Sequence, residues 1–202
     1  MTIHGRIRRA NEIDPDCGWH SRGYLPHFEG GEVVQFITYR LADSLPSLLL
    51  RQLKNKRDSK QISEIEYHRG VERHLDLGYG GSYLRRRDVA NIVEENLLRF
   101  DGEKYQLLHW VIMLNHVHLL LRAINGHSLS SIMHSMKSFT ANRANKSLGR
   151  TGRFWSVEYF DRYIRDGAHY ANTVAYIHAN PVKARLCESA AEWQFGCSRR
   201  HG

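Results

Sequence analysis

The chain has 202 residues, 42% of them hydrophobic and 25% charged. These proportions suit one folded domain spanning 1–202 and exclude disordered, collagen-like and membrane-spanning classes. Lys and Arg number 29 against 21 Asp and Glu, a formal charge of +8, which points to a polyanionic partner.

No apolar run approaches the roughly 20 residues needed to cross a bilayer. The start, Met1-Thr2-Ile3-His4-Gly5-Arg6, has no apolar core of a signal peptide. A cytoplasmic protein without a membrane partner is therefore expected. Cys17, Cys187 and Cys197 are odd in number and lack CxxC spacing. That argues against a disulfide framework and a Cys-based zinc site, and leaves reduced thiols with packing roles.

Residues 1–32 are rich in Gly, Pro, Arg and His and read as an irregular arm. The β-branched and aromatic alternation over 33–41 predicts a strand. Asp43-Ser44-Leu45-Pro46 starts a helix whose Leu49, Leu50 and Leu53 form a core-facing stripe. Residues 59–87 are highly charged and interrupted by Gly70, Gly78, Gly80 and Gly81, so a helical excursion over 64–74 followed by a loop is expected. Asp88 caps a helix that stops near Asp101-Gly102.

Strands follow at 105–113 and 116–122, with Asn115 near the bend between them. Ser128 opens a long helix to about Ser147, with Ile132, Met136 and Phe139 inside and Lys137, Arg143 and Lys146 outside. Residues 154–165 contain a strand, and a last helix runs from Asp166 to Asn180, where Pro181 makes continuation costly. This order predicts an α+β fold, a ferredoxin-like or RRM-like antiparallel sheet with packed helices.

His116 and His118 lie two apart in a predicted strand, so both imidazoles project from one face and can share a metal ion. They can equally be two hydrogen-bonded core histidines. On the last helix, His169, Thr173, Tyr176 and Asn180 cluster on a polar face, away from the stripe of Tyr170, Val174 and Ile177. Tyr176 and Asn180, four residues apart, can face one site as nucleophile and oxygen ligand. Alternatively, Tyr176 packs at the sheet edge and Asn180 ends the helix before Pro181.

Taken together, Asn115-His116-Val117-His118-Leu119-Leu120-Leu121 and Tyr176-Ile177-His178-Ala179-Asn180-Pro181 resemble the HUH single-tyrosine transposases. The REP-associated tyrosine transposases are the nearest in pattern. The resemblance extends to Arg22-Gly23-Tyr24-Leu25-Pro26-His27, Arg153-Phe154-Trp155 and Tyr159-Phe160-Asp161-Arg162-Tyr163, and covers about 19–197. It implies metal ligands at His116, His118 and Asn180, a nucleophile at Tyr176, and cleavage of single-stranded DNA beside a hairpin. The implied products are a 5′-phosphotyrosine and a free 3′-OH.

Imidazole and oxygen donors suit Mg²⁺ or Mn²⁺, and also accept Zn²⁺ or Co²⁺. The stretch 133–165 carries seven basic and two acidic residues. Phosphate and base contacts are therefore expected at Lys137, Arg143, Arg153 and Arg162, and at Arg22 and Tyr24 in the arm. Trp155 and Tyr159 either stack bases or, for Trp155, fill the core. His169 and His178 flank the nucleophile and either assist a proton transfer or sit at the surface. The rival readings are an RRM-like module that binds structured nucleic acid without cutting it, and a phosphodiesterase that uses water. The working unit is a monomer or a homodimer.

Overall fold

The computed structural model describes residues 19–21, 26–28 and 32–200, with side chains for 32–198. Within the arm expected to be irregular, β1 (Trp19–Ser21) and β2 (Pro26–Phe28) pair antiparallel. The main sheet takes β3 (Val34–Arg40), β4 (Tyr105–Ile112), β5 (His116–Ala123) and β6 (Phe160–Tyr163). Its strands are all antiparallel, in the spatial order β4-β5-β3-β6.

Helices α1 (Ser47–Asp58), α2 (Glu64–Asp76) and α3 (Arg87–Arg99) come between β3 and β4. Helix α4 (Leu129–Leu148) joins β5 to β6, and α5 (Gly167–Lys183) follows β6. This is the βαββαβ order of a ferredoxin-like α+β fold, enlarged by the α1–α2 excursion. Among the described residues, no helix is long and apolar enough to cross a membrane.

Strand alternation divides the sheet into two faces. On one face Ile37, Tyr39, Val117, Leu119, Leu121 and Ile112 meet α3 and α4 through Val93, Leu97, Ile132 and Met133. On the other, Phe36, Val111, Met113 and Leu120 meet Ile177 of α5. Central β5 is buried along most of its length, as expected of a strand covered on both sides. A bulge at Leu108 breaks the β4–β5 register, so that Leu107 pairs with Leu121 and His109 with Leu120. His109, two residues before Val111 on the same face, points toward α5, against Tyr170 and His178.

Several local expectations change. Helix α1 buries none of its residues; Leu49, Leu50 and Leu53 are only half-covered, because α1 packs on α2 and not on the sheet. Phe139 is 39% exposed, outside the core stripe of α4, while Lys137 is half-buried. Arg86 and not Asp88 occupies the start of α3, with Asp88 in its first turn. Helix α5 runs through Pro181 to Lys183. Proline's fixed φ is itself helical and only one N–H is lost, and the next donors close the turn through Ala184 N to Asn180 O and Leu186 N to Pro181 O, both 2.9 Å.

The excursion returns to β3 through two glycines. Gly81 N donates to Asp43 O at 2.9 Å, and a Cβ on Gly80 would lie 2.3 Å from the Asp43 and Ser44 backbone. Tyr83 reinforces this contact by donating to Asp43 Oδ2 at 2.9 Å. Gly80→Ala should therefore destabilise the protein by roughly 1–3 kcal/mol through overpacking, read as a lower thermal unfolding midpoint. An unchanged midpoint would mean that this closure contributes little.

Candidate active site

His116 and His118 point from β5 toward the α5 side of the sheet, their Nε2 atoms 3.0 Å apart. Both rings are essentially inaccessible to water, at 1% and 0% exposure. Burial pushes His116 down to about 3 and holds His118 well below the ordinary histidine range, so both are neutral imidazoles. Each Nδ1 has its own partner: Asn115 Oδ1 at 2.6 Å for His116 and Thr38 Oγ1 at 2.8 Å for His118.

A carboxamide oxygen can only accept, so His116 Nδ1 carries the proton and its Nε2 presents a lone pair. Asn115 also donates from Nδ2 to Leu75 O of α2 at 3.0 Å. One side chain thus fixes the His116 tautomer and ties it to the charged excursion, the outer-sphere arrangement typical of metal-ligating histidines.

Tyr176 comes to this pair from α5. Its ring centroid lies 5.3 Å from that of His118 and 5.9 Å from that of Phe36. The hydroxyl is buried and has no hydrogen-bond partner within normal distance among the described residues. Burial, then the Glu72 and Asp76 carboxylates of α2, push the phenol far above its ordinary value. The opposite side of this repulsion appears on Glu72, whose carboxyl is raised to about 7 by burial and by Asp76.

Asp76 rises to about 6 through burial, and its Oδ1 lies 3.7 Å from His116 Nε2. Asn180, fully buried, donates from Nδ2 to Tyr176 O at 2.9 Å. Its Oδ1 has no hydrogen-bond partner among the described residues. Two neutral imidazole nitrogens and a buried carboxamide oxygen without a donor are a donor set that fits a divalent cation.

Beside Tyr176 lies a cavity of about 680 Å³ lined by α2, β6 and α5, including His68, Arg69, Glu72, Phe160, Arg162 and His169. Arg162 therefore lies at the cavity that holds Tyr176. Lys137 and Arg153 lie together elsewhere, in a second groove of about 600 Å³ between α4 and the segment before β6. Lys137 Nζ donates to Val157 O at 2.6 Å, and burial brings it down to about 8. Arg143 is exposed on α4, its guanidinium 5.7 Å from the Phe139 ring centroid.

Trp155 is a core residue, 4% exposed and donating from Nε1 to Thr140 Oγ1 at 2.9 Å. His169 accepts from Arg165 N at 3.2 Å, and His178 meets His109 instead of Tyr176. Arg22 and Tyr24 lie outside the described residues. Sequence reading missed Glu72, Asp76 and the role of Asn115. The acidic positions at i and i+4 in the excursion were the available signal for the first two, but only packing reveals what they face.

The site thus consists of paired imidazoles on the central strand of a ferredoxin-like sheet and a tyrosine on the facing helix. Residues 85–180 match the family model described as Transposase IS200 like. That segment contains both histidines and Tyr176, and its similarity to the IS200-like transposases supports a transposase or nuclease of that kind. The fold is similar to that in the structure of a REP-associated tyrosine transposase bound to a REP hairpin. That similarity has a TM-score of 0.56 at 16% identity, over 88% of this chain and 84% of the other. A crystal structure of a candidate transposase from Deinococcus radiodurans aligns over 80% of this chain and 96% of its own, at 15% identity and a TM-score of 0.34. No curated protein matches the sequence.

Glu72 carries a consequence for stability. Its native value of about 7 exceeds the ordinary carboxyl value of 4.5, so the folded protein binds this proton more tightly than the unfolded chain. The stability it contributes is fully present below about pH 4.5 and is lost as pH rises through about 7. Glu72→Gln should therefore raise stability at pH 8 by roughly 2 kcal/mol and flatten its decline between pH 5 and 8. Chemical denaturation across that range checks both; an identical pH slope in wild type and variant would contradict the buried placement of Glu72.

Proposed function

We propose that the chain is a metal-dependent single-strand DNA endonuclease and strand transferase, cutting hairpin-flanked DNA through a 5′-phosphotyrosine. The observation that carries this reading is the convergence of Tyr176 on the neutral His116–His118 pair, 5.3 Å between the His118 and Tyr176 rings, with Glu72 beside the phenol. A module that only binds nucleic acid has no use for a desolvated nucleophile aligned with a buried imidazole pair.

His116 Nε2, His118 Nε2 and Asn180 Oδ1 would hold Mg²⁺ or Mn²⁺, which when bound polarises the scissile phosphate and offsets charge on its oxygens. Tyr176 Oη attacks phosphorus, forming the tyrosyl O–P bond as the P–O3′ bond breaks, and the departing strand end leaves as a 3′-OH after taking a proton. The phenol is held protonated by burial and by two carboxylates, so attack requires a proton acceptor. Glu72, titrating near neutrality beside it, takes that proton as a general base. Phosphotyrosine conserves the bond energy, so a 3′-OH can reverse the step and rejoin DNA.

Arg69 and Arg162 at the Tyr176 cavity, and Arg153 and Lys137 at the second groove, supply cations for the phosphates. Arg143 adds an exposed cation and aromatic pair on α4. The hairpin held by the structurally similar REP-associated transposase supports hairpin DNA as the substrate here.

The test is incubation of the purified protein with labelled single-stranded hairpin DNA and Mn²⁺ or Mg²⁺, followed by denaturing electrophoresis and peptide mapping. An adduct on Tyr176 is expected. Tyr176→Phe should abolish cleavage and adduct while hairpin binding persists; cleavage retained in that variant would remove Tyr176 as nucleophile and favour a hydrolytic phosphodiesterase. In Glu72→Gln the cleavage rate should fall by about 100-fold or more. The wild-type rise in rate with pH through about 7, where Glu72 becomes ionised, should disappear with it.

Asn115 generates a separate expectation, because it orients His116 without touching the reacting atoms. Asn115→Ala should weaken Mn²⁺ binding by roughly 10–100-fold, measured by titration calorimetry. Unchanged affinity would place the metal away from His116.

A further inference from the structure

We propose that His109, His178 and Cys197 form a second metal site, selective for Zn²⁺, that fastens the C-terminal segment and the nucleophile helix to the edge of the sheet. The three side chains come from β4, from α5 and from a 3₁₀ turn at the C-terminus, yet their donor atoms converge. His109 Nδ1 and His178 Nε2 are 3.1 Å apart, and Cys197 Sγ lies 3.7 Å and 3.4 Å from them respectively. Bonds of about 2.0–2.1 Å to nitrogen and 2.3 Å to sulfur at a tetrahedral angle place two nitrogens about 3.3 Å apart, and nitrogen about 3.5 Å from sulfur. The observed edges lie within about 0.2 Å of those distances.

A further observation points to a metal. His109 lies two residues before Val111 on the α5 face of β4. Beside it, Cys197 is 3% exposed and its Sγ accepts from Trp110 N at 3.3 Å, as a metal-bound thiolate does. The chain before it is threaded along β4: Ile112 N donates to Phe195 O at 2.8 Å, and Val111 bridges to Gly196. Cys197 is thereby delivered to the histidine two residues back along the strand from Val111.

The donor set decides the ion. A thiolate with two imidazoles is soft enough to select Zn²⁺ over the Mg²⁺ or Mn²⁺ suited to the His116–His118 site. Three protein donors suffice, with water or another donor completing the tetrahedron. Binding would replace the thiol proton, which is released to solvent. His178 lies two residues beyond Tyr176 on α5, so an ion here would anchor the nucleophile's helix while taking no part in phosphate chemistry.

The experiment uses the full chain, purified without a polyhistidine tag, stripped of metal and titrated with Co²⁺. One equivalent should give a thiolate-to-cobalt charge-transfer band and tetrahedral d–d absorption, both displaced by Zn²⁺. Cys197→Ser should lose the charge-transfer band and bind Zn²⁺ more than about 100-fold more weakly, since losing even an outer-sphere partner typically costs 10–100-fold. Zn²⁺ should raise the thermal unfolding midpoint of the wild type but not of Cys197→Ser.

His118→Ala and Cys187→Ser should keep the band, separating this site from the nuclease centre and from the other described cysteine. Absence of the band in the wild type would overturn the site and leave a hydrogen-bonded trio. A band that survives Cys197→Ser, or vanishes with His118→Ala, would overturn it as well.

Discussion

Two imidazoles wholly removed from water on the central strand are the constraint around which this molecule is arranged. A buried polar ring must find partners or cost several kcal/mol, and His116 and His118 find theirs in Asn115, Thr38 and each other. Their burial keeps them neutral, which is the state a metal ligand requires. Because they sit at alternate positions of a strand covered on both sides, the same alternation sends Val117, Leu119 and Leu121 into the larger core. The site and the fold therefore share one strand, and neither can shift register without the other.

The charged excursion packs directly onto the proposed active site. Helix α2 begins with a capping box, in which Ser63 and Glu66 satisfy each other's backbone donors. It then brings Glu72 and Asp76 down onto Tyr176 and His116. Asp76 raises Glu72, and both carboxylates raise the phenol, a cluster of destabilised acids of the sort that active sites maintain. Asn115 joins this helix to the histidine strand through Leu75 O, so movement of α2 would be felt at His116. The closure of the excursion by Gly80 and Gly81 against Asp43 gives that helix a fixed base.

Helix α5 carries Tyr176, the proposed nucleophile, and is held along its length. Asp166 caps its start by accepting from His169 N at 2.7 Å, Ile177 anchors it to Phe36 and Leu120 on the sheet, and Asn180 bonds back to Tyr176 O. Pro181 does not interrupt it, because the bonds to Asn180 O and Pro181 O resume immediately. His178 adds a contact to His109 and Cys197 on the side of α5 facing the sheet edge. The proposed role of Tyr176 as nucleophile calls for such a rigid support, since attack on a phosphate needs placement within a fraction of an ångström.

The sequence by itself determined the elements whose signals are local. Strand alternation placed His116 and His118 on one face, and the order of strands and helices specified the ferredoxin-like sheet; the expected separation of Tyr176 from the apolar stripe did not hold, since Tyr176 packs in one cluster with Val174 and Ile177. Exposure was less legible: Phe139 and the leucines of α1 have the spacing of core residues but lack a partner on the sheet. Long-range placement was hidden altogether. That Glu72 faces Tyr176 depends on how α2 folds back across the sheet, and that His109, His178 and Cys197 meet depends on how α5 packs on β4 and on a tail running along β4. Side-chain periodicity is set by backbone geometry within a few residues, whereas contacts between distant segments are set by how whole elements pack, and only the tertiary structure decided those.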